Sequence, residues 1–407
     1  MKEQIDHISQ YLPTDGWLGD YLKFTGGMEA CPRFNFFTAC CAMGAAINNK
    51  VYIQRGDEGL LPKLFPNLWV ILLAPPGRGH KTSTINMACN CLTAACEDVR
   101  ILADKLTPEY LVKALSSPAN QSEVIRIGPR DATGLIKAPE LSVFFGKQQY
   151  NMGLVSLITD LYDYREKWTG GTIGRGGETL QNVCISVLGG STPEWLQQML
   201  PQDAFTGGFM SRFVIAEMPI TYFKKVTFPK RPEALQWEDL VEQLAHIGSL
   251  TGLVEWGEGS KEAYEKVYEN SLPTGQSQVD AYREREAEQI LKTSMLLALS
   301  SKRQVILSDD IIRAQQILES LRKETNPRIT RLTTHPRMQL VQEIQDLLRL
   351  HTRMKEEDLL KSVYRSLSQG ERQFYEALSV LKRIGFLSPI GEPGAYSYEL
   401  TKEGRRS

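Results

Sequence analysis

Two spacings of apolar residues recur along the first two thirds of the chain, and together they predict an α/β fold. Residues 68–73 form a continuous apolar run, which is typical of a strand covered on both faces of a parallel sheet. The residues that follow it fall at helical spacing: Ile85, Ala88, Leu92, Ala95 and Val99. A strand around 135–137, a helix over 153–164 and a strand over 183–188 continue the alternation of an α/β sheet.

The flanking parts of the chain have a mostly helical pattern. Residues 36–43 are apolar nearly all round, which indicates a buried helix, and residues 51–54 have the pattern of a short strand. Apolar residues at helical spacing occur again between residues 237 and 324, which predicts further helices there. By contrast, residues 170–177 are too rich in glycine for a helix or a strand, so the sequence predicts a mobile loop there.

The last part of the chain, residues 336–403, differs in character and predicts a small separate domain. Three helical periods end at Gly385, and strand patterns at 386–390 and 396–400 flank a glycine-containing turn. Three helices followed by a terminal hairpin are the layout of a winged-helix domain.

Composition limits the function only slightly. The length of 407 residues gives room for two or three domains, and the net charge of -1 excludes a global basic field for binding DNA. The 7 cysteines lack the spacing of zinc ligands, so we expect them to be buried in a reducing compartment. There is no leader-like start and no apolar run long enough to span a membrane, which predicts a soluble, cytoplasmic protein.

A phosphate-binding loop is the clearest candidate site. The standard loop has one glycine six residues before a lysine, a second glycine next to that lysine, and Ser or Thr after it. Lys81 and Thr82 fit, whereas Pro75 and His80 occupy the two glycine positions. Histidine tolerates a left-handed backbone better than most residues, so His80 is a plausible substitute for glycine.

The predicted loop keeps the groups that nucleotide binding needs. It offers free backbone amides, a helix start, a lysine for the outer phosphates of ATP and the Thr82 hydroxyl for Mg²⁺. The alternative is a plain strand-to-helix turn with a solvated Lys81, but the buried strand before the loop and the helix after it favour nucleotide binding. The residues predicted to bind ATP are Gly77, Arg78, Gly79, His80, Lys81, Thr82 and Ser83.

An ATPase also needs an acid at the end of a neighbouring strand. Glu140 follows the strand pattern at 135–137 and is predicted to help bind Mg²⁺ and to activate water, although Pro139 stands where an aspartate is usual. Glu140 could instead cap the next helix, and Asp160 and Asp163 are the fallback acids.

Two further residues are candidates for catalysis. Ser191, with Thr192 as its alternative, follows the strand pattern at 183–188 and is predicted to sense the terminal phosphate, although Thr192 could equally cap a helix. Arg212 follows a flexible Gly207-Gly208 pair and is predicted to stabilise charge on the transferred phosphoryl group. A buried ion pair is the alternative for Arg212.

At these residues the sequence resembles a family of phage, plasmid and mobile-element P-loop ATPases, often fused to primases and similar to superfamily III ring helicases. The resemblance covers roughly residues 16–324 and includes 65–70 leading into Lys81-Thr82, 188–194, 208–213 and the helical run near 285–298. It implies that Lys81 and Thr82 bind nucleotide, that Glu140 activates water and that Ser191 or Thr192 is a sensor. It also implies that Arg212 acts in a neighbouring subunit's site.

The resemblance implies DNA contacts on the loop before the sensor strand. That loop carries Lys167, Trp168 and Arg175, and a mix of charge and an aromatic ring suits a single strand; a surface loop with solvated charges is the alternative. In the last domain the third helix carries Arg372, Lys382 and Arg383, which suits a duplex, though many winged helices bind protein instead.

The fold predicted from these patterns is a P-loop NTPase core of RecA/AAA-like type over 61–235. A helical N-terminal region (1–60), a helical lid region (236–330) and a winged-helix domain (336–403) flank it. The predicted function is an ATP-dependent DNA helicase or translocase that hydrolyses Mg²⁺-ATP at the subunit interfaces of a homo-oligomeric ring. The alternatives are a nucleotide-switched scaffold with weak hydrolysis, or an ATPase of an antiviral or transposition system that does not unwind DNA.

Overall fold

The computed structural model describes most of the chain, and it divides into two units, Met1–Pro327 and Arg328–Ser407. The residues outside the description are 1–5, 104, 117–130, 146–151, 173–175, 200–207, 220, 272–276, 334–335, 365–366, 368–369, 392–395, 403 and 405–407.

The first unit is built on a six-stranded, mostly parallel sheet with the order β3-β4-β6-β2-β7, to which β5 is added antiparallel to β6. The fold is therefore of the mixed α/β class, as the alternation of apolar patterns predicts. The strands before and within the sheet are β1 Val51–Tyr52, β2 Trp69–Leu73, β3 Ile101–Ala103, β4 Asp131–Ala138, β5 Arg165–Thr172, β6 Gly176–Ser191 and β7 Val214–Glu217.

Helices surround this sheet and follow its strands. The helices up to β7 are α1 Gly16–Thr25, α2 Pro32–Ile47, α3 Lys81–Ala95, α4 Pro108–Ser116, α5 Leu141–Phe145, α6 Met152–Asp160 and α7 Pro193–Met199, with short 3-10 turns at His7–Gln10 and Met210–Arg212. Further along are α8 Trp237–Ser249, β8 Gly252–Leu253, β9 Glu255–Trp256, α9 Ser260–Asn270, α10 Ser277–Ser300, β10 Val305–Ile306 and α11 Ser308–Thr333.

Helix α2 lies at the centre of the core. Every residue from Arg33 to Ile47 is buried, which confirms the buried helix that the apolar run at 36–43 predicts. The one charged side chain in it, Arg33, is neutralised by a buried ion pair with Asp6, since an unpaired buried charge would be costly. The apolar side chains of α2 thus pack against one face of the sheet, at strands β2 and β6.

The N-terminal helices share this core with the helices after the sheet. The Trp17 indole nitrogen donates to the Leu240 carbonyl at 2.9 Å, and the Leu18 amide donates to the Ser300 hydroxyl at 2.8 Å. One cluster of buried apolar residues extends from Ile8 to Leu321. The division of this unit at residues 60 and 235 therefore stays a prediction.

The second unit has its own apolar core. Helices α12 Pro336–His351, α13 Glu356–Val363 and α14 Glu371–Arg383 precede the strands β12 Leu387–Ile390 and β13 Ser397–Leu400, and β11 Arg353–Lys355 joins them in a three-stranded antiparallel sheet of order β11-β13-β12. The core of this unit contains Leu340, Ile344, Leu359, Phe374, Leu381 and Tyr398. The sequence patterns predict the helices and the hairpin but not β11, which is too short to show a period.

The prediction of a mobile loop over 170–177 is wrong for the residues that the structure describes there. Gly171 pairs with Gly177, and Thr172 pairs with Gly176, so β5 and β6 form a hairpin that continues into this segment. Cross-strand hydrogen bonds satisfy the backbone N–H and C=O groups of these glycines, although glycine has a low propensity for strands. Residues 173–175 lie outside the described part.

Burial governs the chemistry of the cysteines. All seven are free thiols, and all are buried except Cys96, which is half-buried. Burial raises the pKa of Cys91 to about 12 and that of Cys89 to about 11.

Within the described residues, no helix has both the length and the apolar character needed to cross a bilayer.

The close contact at Gly44 in α2 gives a first prediction. A β-carbon there would lie 2.5 Å from the Pro66 carbonyl oxygen, in the segment that leads into β2. Replacing a helical glycine by alanine normally stabilises a helix by about 1 kcal/mol, but overpacking costs about 1–3 kcal/mol. We expect Gly44→Ala to lower the free energy of unfolding, by up to about 2 kcal/mol, as measured by urea denaturation.

The matched control is Gly153→Ala in α6. A β-carbon at this position would meet only the Pro108 ring, at an ordinary contact distance of 3.6 Å. This variant should be neutral or slightly more stable than the natural chain. A stabilised Gly44→Ala protein would show that α2 is not held tightly against the segment before β2.

Candidate functional site

The segment between β2 and α3, residues 74–80, is a turn with three left-handed residues. Gly77 and Gly79 have φ values of 67° and 77°, and His80 has a φ of 50°. His80 therefore adopts the backbone conformation that the sequence analysis expects it to tolerate. Helix α3 begins directly afterwards at Lys81, so its free amino-terminal amides lie at the turn.

The two glycines are required for different reasons. A β-carbon at Gly77 would meet nothing, so only its left-handed backbone favours glycine there. At Gly79 a β-carbon would lie 3.0 Å from the Ala74 β-carbon and 3.0 Å from the Phe34 ring. The turn is thus packed against the first turn of α2.

His80 connects the turn to two other segments through Glu29. The distance from His80 Nε2 to Glu29 Oε2 is 2.6 Å, and Glu29 Oε1 accepts a hydrogen bond from the Val226 amide at 2.9 Å. The hydrogen bond from Val226 is the main reason that the pKa of Glu29 is lowered, with His80 and Lys225 adding to the effect. Glu29 therefore remains ionised and binds both the His80 ring and the Val226 amide.

The Lys81 side chain folds back over the turn. Its ammonium donates to the carbonyl oxygens of Ala74 at 2.9 Å and Pro75 at 3.4 Å. Partial burial lowers the pKa of Lys81, and the nearby carboxylates of Glu140 and Glu194 oppose that shift. The charge is thus held at the mouth of the turn.

The turn forms one wall of a cleft with a volume of about 450 Å³. The other walls come from the carboxyl ends of β4 and β6, because parallel strands end at the same edge of the sheet. The cleft is lined by Pro76, Gly77, Arg78, His80, Lys81, Thr82, Ser83, Pro139, Glu140, Ser142, Gly190, Ser191, Thr192 and Trp195. Of the predicted ATP-binding residues, Gly79 alone is not in this lining, since it packs beneath the turn.

The strand order explains how the predicted acid and sensor reach the turn. Strand β6 lies between β2 and β4, so Ser191 at its end is next to the turn and Glu140 is one strand further away. A β-carbon at Gly190 would lie 2.4 Å from the Pro139 carbonyl oxygen, so a small residue is needed for the two strand ends to approach. Ser142 and Trp195 also line the cleft but are not predicted from the sequence, because neither belongs to a motif.

The fallback acids lie elsewhere. Asp160 accepts hydrogen bonds from Arg165 and, at 2.7 Å, from the Trp168 indole nitrogen, and Asp163 pairs with Arg285 at 3.3 Å. Neither aspartate lines the cleft. Among the described residues that do, Glu140 is the one carboxylate.

Arg212 is at the opposite end of the sheet from the turn. It precedes β7, and Val214 pairs with Val70 near the start of β2. Because a strand rises about 3.3 Å per residue, the backbone at Arg212 is roughly 20 Å from the turn at the end of β2. Arg212 therefore does not belong to the cleft of its own chain.

The surroundings of Arg212 are aromatic and cationic. Its guanidinium donates to the Gly208 carbonyl at 2.6 Å and lies 5.3 Å from the centre of the Tyr162 ring. Burial and, to a smaller extent, the neighbouring Arg285 lower the pKa of Arg212. Among the described residues Arg212 has no ion-pair partner, and its Nε atom is buried without an acceptor. The buried ion pair considered from the sequence is not present there.

The predicted nucleic-acid residues fall on two separate elements. Lys167 and Trp168 are on β5 of the β5–β6 hairpin, with Lys167 exposed and the Trp168 indole bound to Asp160. Arg175 lies outside the described residues.

The second element is α14, which carries Arg372, Lys382 and Arg383. Arg372 pairs with Glu376 at 3.1 Å. The Lys382 ammonium donates to the Tyr398 hydroxyl at 3.0 Å, and this hydroxyl donates to Glu356 at 2.7 Å. Lys382 is thus bound within its own unit, while Arg383 is exposed.

A comparison of the chain with protein-family models gives no match, and a search of curated proteins gives no significant one.

The left-handed backbone at His80 predicts how this position tolerates change. Glycine adopts that conformation freely, whereas a β-branched residue does so at a cost of about 1–2 kcal/mol. We expect His80→Val to unfold at a lower urea concentration than His80→Gly, with a difference of about 1–2 kcal/mol in the free energy of unfolding. Both variants lose the contact with Glu29, so the difference between their stabilities reports the cost of the left-handed backbone conformation. Equal stabilities would contradict the left-handed conformation at His80.

Proposed function

We propose that the protein binds and hydrolyses Mg²⁺-ATP in the 450 Å³ cleft and works as a ring-forming DNA translocase or helicase. The observation that carries this proposal is that the left-handed turn, Lys81, Thr82, Glu140 and Ser191 line one cleft. In this proposal the first unit is a P-loop NTPase core of RecA/AAA-like type, and the second unit is a winged helix.

The turn fits the phosphates of a nucleotide. Left-handed residues in succession turn backbone N–H groups toward one point, and the amino terminus of α3 adds a partial positive charge there. The cleft volume lies within the usual range of about 300–1,000 Å³ for small-molecule sites. An anion is therefore the ligand that this turn suits best.

Lys81 is placed to contact the outer phosphates. An ammonium group has three N–H donors, and two of those of Lys81 are used by the carbonyls of Ala74 and Pro75. A phosphate oxygen at the cleft mouth would engage the third donor or replace the longer bond, which is the 3.4 Å contact to Pro75. The lysine would neutralise charge without a large rearrangement.

Glu140 and Thr82 supply the oxygen atoms for a hard divalent cation. When bound, Mg²⁺-ATP supplies the phosphoryl group that is transferred to water. Since β6 separates β4 from β2, Glu140 lies roughly two strand spacings, or about 10 Å, from the turn, which leaves room for a phosphate and a water molecule. In this arrangement Glu140 accepts a proton from the water, and the Ser191 hydroxyl orients it.

Arg212 supports assembly into a ring. Near it, Asp163 is paired with Arg285 at 3.3 Å and Glu288 with Lys292 at 3.2 Å, so the nearby carboxylates serve other cations. Arg212 thus forms no ion pair of its own within the described part of the chain, although the carboxylates of Asp163 and Glu288 are near it. The anion that this charge fits is a phosphate in the cleft of a second copy, as in ATPases that share a site between subunits.

DNA is the proposed substrate of the motor. The β5–β6 hairpin carries the exposed Lys167 with Trp168 beside it, and both precede the strand that ends at Ser191. Movement of β6 on hydrolysis would be passed along the strand to this hairpin. In the second unit, the exposed Arg372 and Arg383 on α14 are the proposed contacts with duplex DNA.

A nucleotide-switched scaffold is the second candidate function. It is favoured by Pro139, which stands where a second carboxylate is usual, because Glu140 is then the one carboxylate in the described lining that can bind Mg²⁺. Such a protein would bind ATP, hydrolyse it slowly and use the second unit to recruit a partner.

The turnover of ATP with and without single-stranded DNA separates these two functions. For the motor, we expect DNA to stimulate turnover, and we expect Lys81→Ala and Glu140→Gln each to reduce it by about 10²-fold or more. Lys261→Ala, at an exposed position of helix α9, is the matched control and should be unchanged. Tight binding of ATP with negligible turnover would favour the scaffold, and undetectable binding by calorimetry would exclude both.

A shared site makes a second prediction, which uses mixed subunits. Arg212→Ala alone should reduce turnover by about 10³-fold or more, comparable with removal of an arginine finger. Mixing it with Lys81→Ala should restore part of the activity, because some interfaces then combine an intact Lys81 with an intact Arg212. Activity in the Arg212→Ala protein, or no recovery on mixing when size-exclusion chromatography shows mixed oligomers, would contradict a shared site.

A further inference from the structure

Residues 222–231, here called the basic-aromatic segment, have a composition that differs from the rest of the first unit. The segment reads Tyr-Phe-Lys-Lys-Val-Thr-Phe-Pro-Lys-Arg and contains no acidic residue. It follows β7, which is the neighbour of β2, so the chain leaves the sheet at the same edge as the turn that holds Lys81. The segment therefore belongs to the side of the unit that carries the cleft.

The two phenylalanine side chains of this segment are unusually exposed. Phe228 is 81% exposed and Phe223 is 59% exposed. The side chain of Lys225, between them, is 72% exposed. Large apolar rings that face water next to cations indicate a contact surface, since burial of either ring would stabilise the protein.

The first half of the segment is tied to the turn after α1 by three hydrogen bonds. The Tyr222 hydroxyl donates to the Ala30 carbonyl at 3.2 Å, and the Lys224 ammonium donates to the Gly26 carbonyl. The Val226 amide donates to Glu29 at 2.9 Å. These bonds hold residues 222–226, which include Phe223, against the turn that follows α1.

We propose that the basic-aromatic segment binds single-stranded nucleic acid. Surfaces that follow a single strand without reading its sequence combine cations for the phosphates with aromatic rings on which bases stack. The segment supplies both, with Phe223 and Phe228 as the stacking rings and Lys225, Lys230 and Arg231 as the phosphate contacts. An acidic protein would use the cations but has no need for the interleaved rings.

Glu29 connects this surface to the candidate nucleotide site. One carboxylate oxygen contacts His80 in the turn at 2.6 Å, and the other accepts from Val226 in the segment at 2.9 Å. A shift of His80 when the turn closes on phosphates would alter the position of Glu29 and its hold on the segment. This coupling rests on the proposed ATP binding, whereas the binding of nucleic acid does not.

Fluorescence anisotropy with a labelled 20-mer of deoxythymidylate tests the surface directly. We expect Phe223→Ala and Phe228→Ala each to weaken binding at least about fivefold, which corresponds to the loss of one stacked base. Lys225→Ala combined with Lys230→Ala should reduce the slope of log affinity against log salt by about 1.4, or about 0.7 for each phosphate contact. DNA-independent ATP turnover of the Phe223 and Phe228 variants should be unchanged.

The matched control is Tyr268→Ala on α9, an aromatic side chain that is 64% exposed outside the segment. Binding equal to that of this control in the Phe223 and Phe228 variants would overturn the proposal. So would a weaker affinity for ATP in the same variants without a change in DNA binding, because the rings would then contact the nucleobase. Binding of the segment to anionic lipid vesicles in place of the oligonucleotide would also overturn it.

The coupling has its own readout in Glu29→Gln. In the natural chain we expect the affinity for the oligonucleotide to differ with and without Mg²⁺-ATP. In Glu29→Gln we expect the ratio of these two affinities to approach one. An unchanged ratio in the variant would overturn the role of Glu29. If the chain fails to bind ATP, the proposed function fails, but the oligonucleotide measurement still decides whether the segment binds single strands.

Discussion

The site depends on one packing constraint, which is the contact between the turn after β2 and the first turn of the buried helix α2. At Gly79 a β-carbon would lie only 3.0 Å from Phe34 and from Ala74, and the left-handed residues Gly77, Gly79 and His80 then set the point at which α3 begins. A helix that begins at Lys81 directs its free amides into the cleft. The position of the candidate anion site is thus fixed by the apolar core below it.

The same edge of the sheet collects the other candidate groups because its strands are parallel. Glu140 and Ser191 come from separate parts of the chain, yet each follows the carboxyl end of a strand and therefore lies beside the turn. Arg212 precedes its strand, so the same rule places it at the far edge. A chain with this arrangement has an incomplete site by itself if Arg212 acts in catalysis, which links the proposed chemistry to assembly.

Much of this arrangement could be predicted from the sequence, and the failures have physical reasons. The apolar run at 68–73 and the buried helix at 36–43 are strong local signals, because nearly every residue in them is apolar. The hairpin at 170–177 could not be predicted, since its glycines are held in strands by pairing between residues and not by their own propensity. Glu29 was missed because its partners, His80 and Val226, are distant in sequence and no motif joins them.

The burial of the cysteines has a practical consequence for experiments on this protein. A thiol reacts as its thiolate, and burial both hides these sulfur atoms and keeps them protonated near neutral pH. Only Cys96 reaches the surface in part. A single cysteine introduced on the β5–β6 hairpin or beside Phe228 would therefore accept a dye or spin label almost selectively, so that distances to each surface could be followed during turnover in an otherwise natural chain.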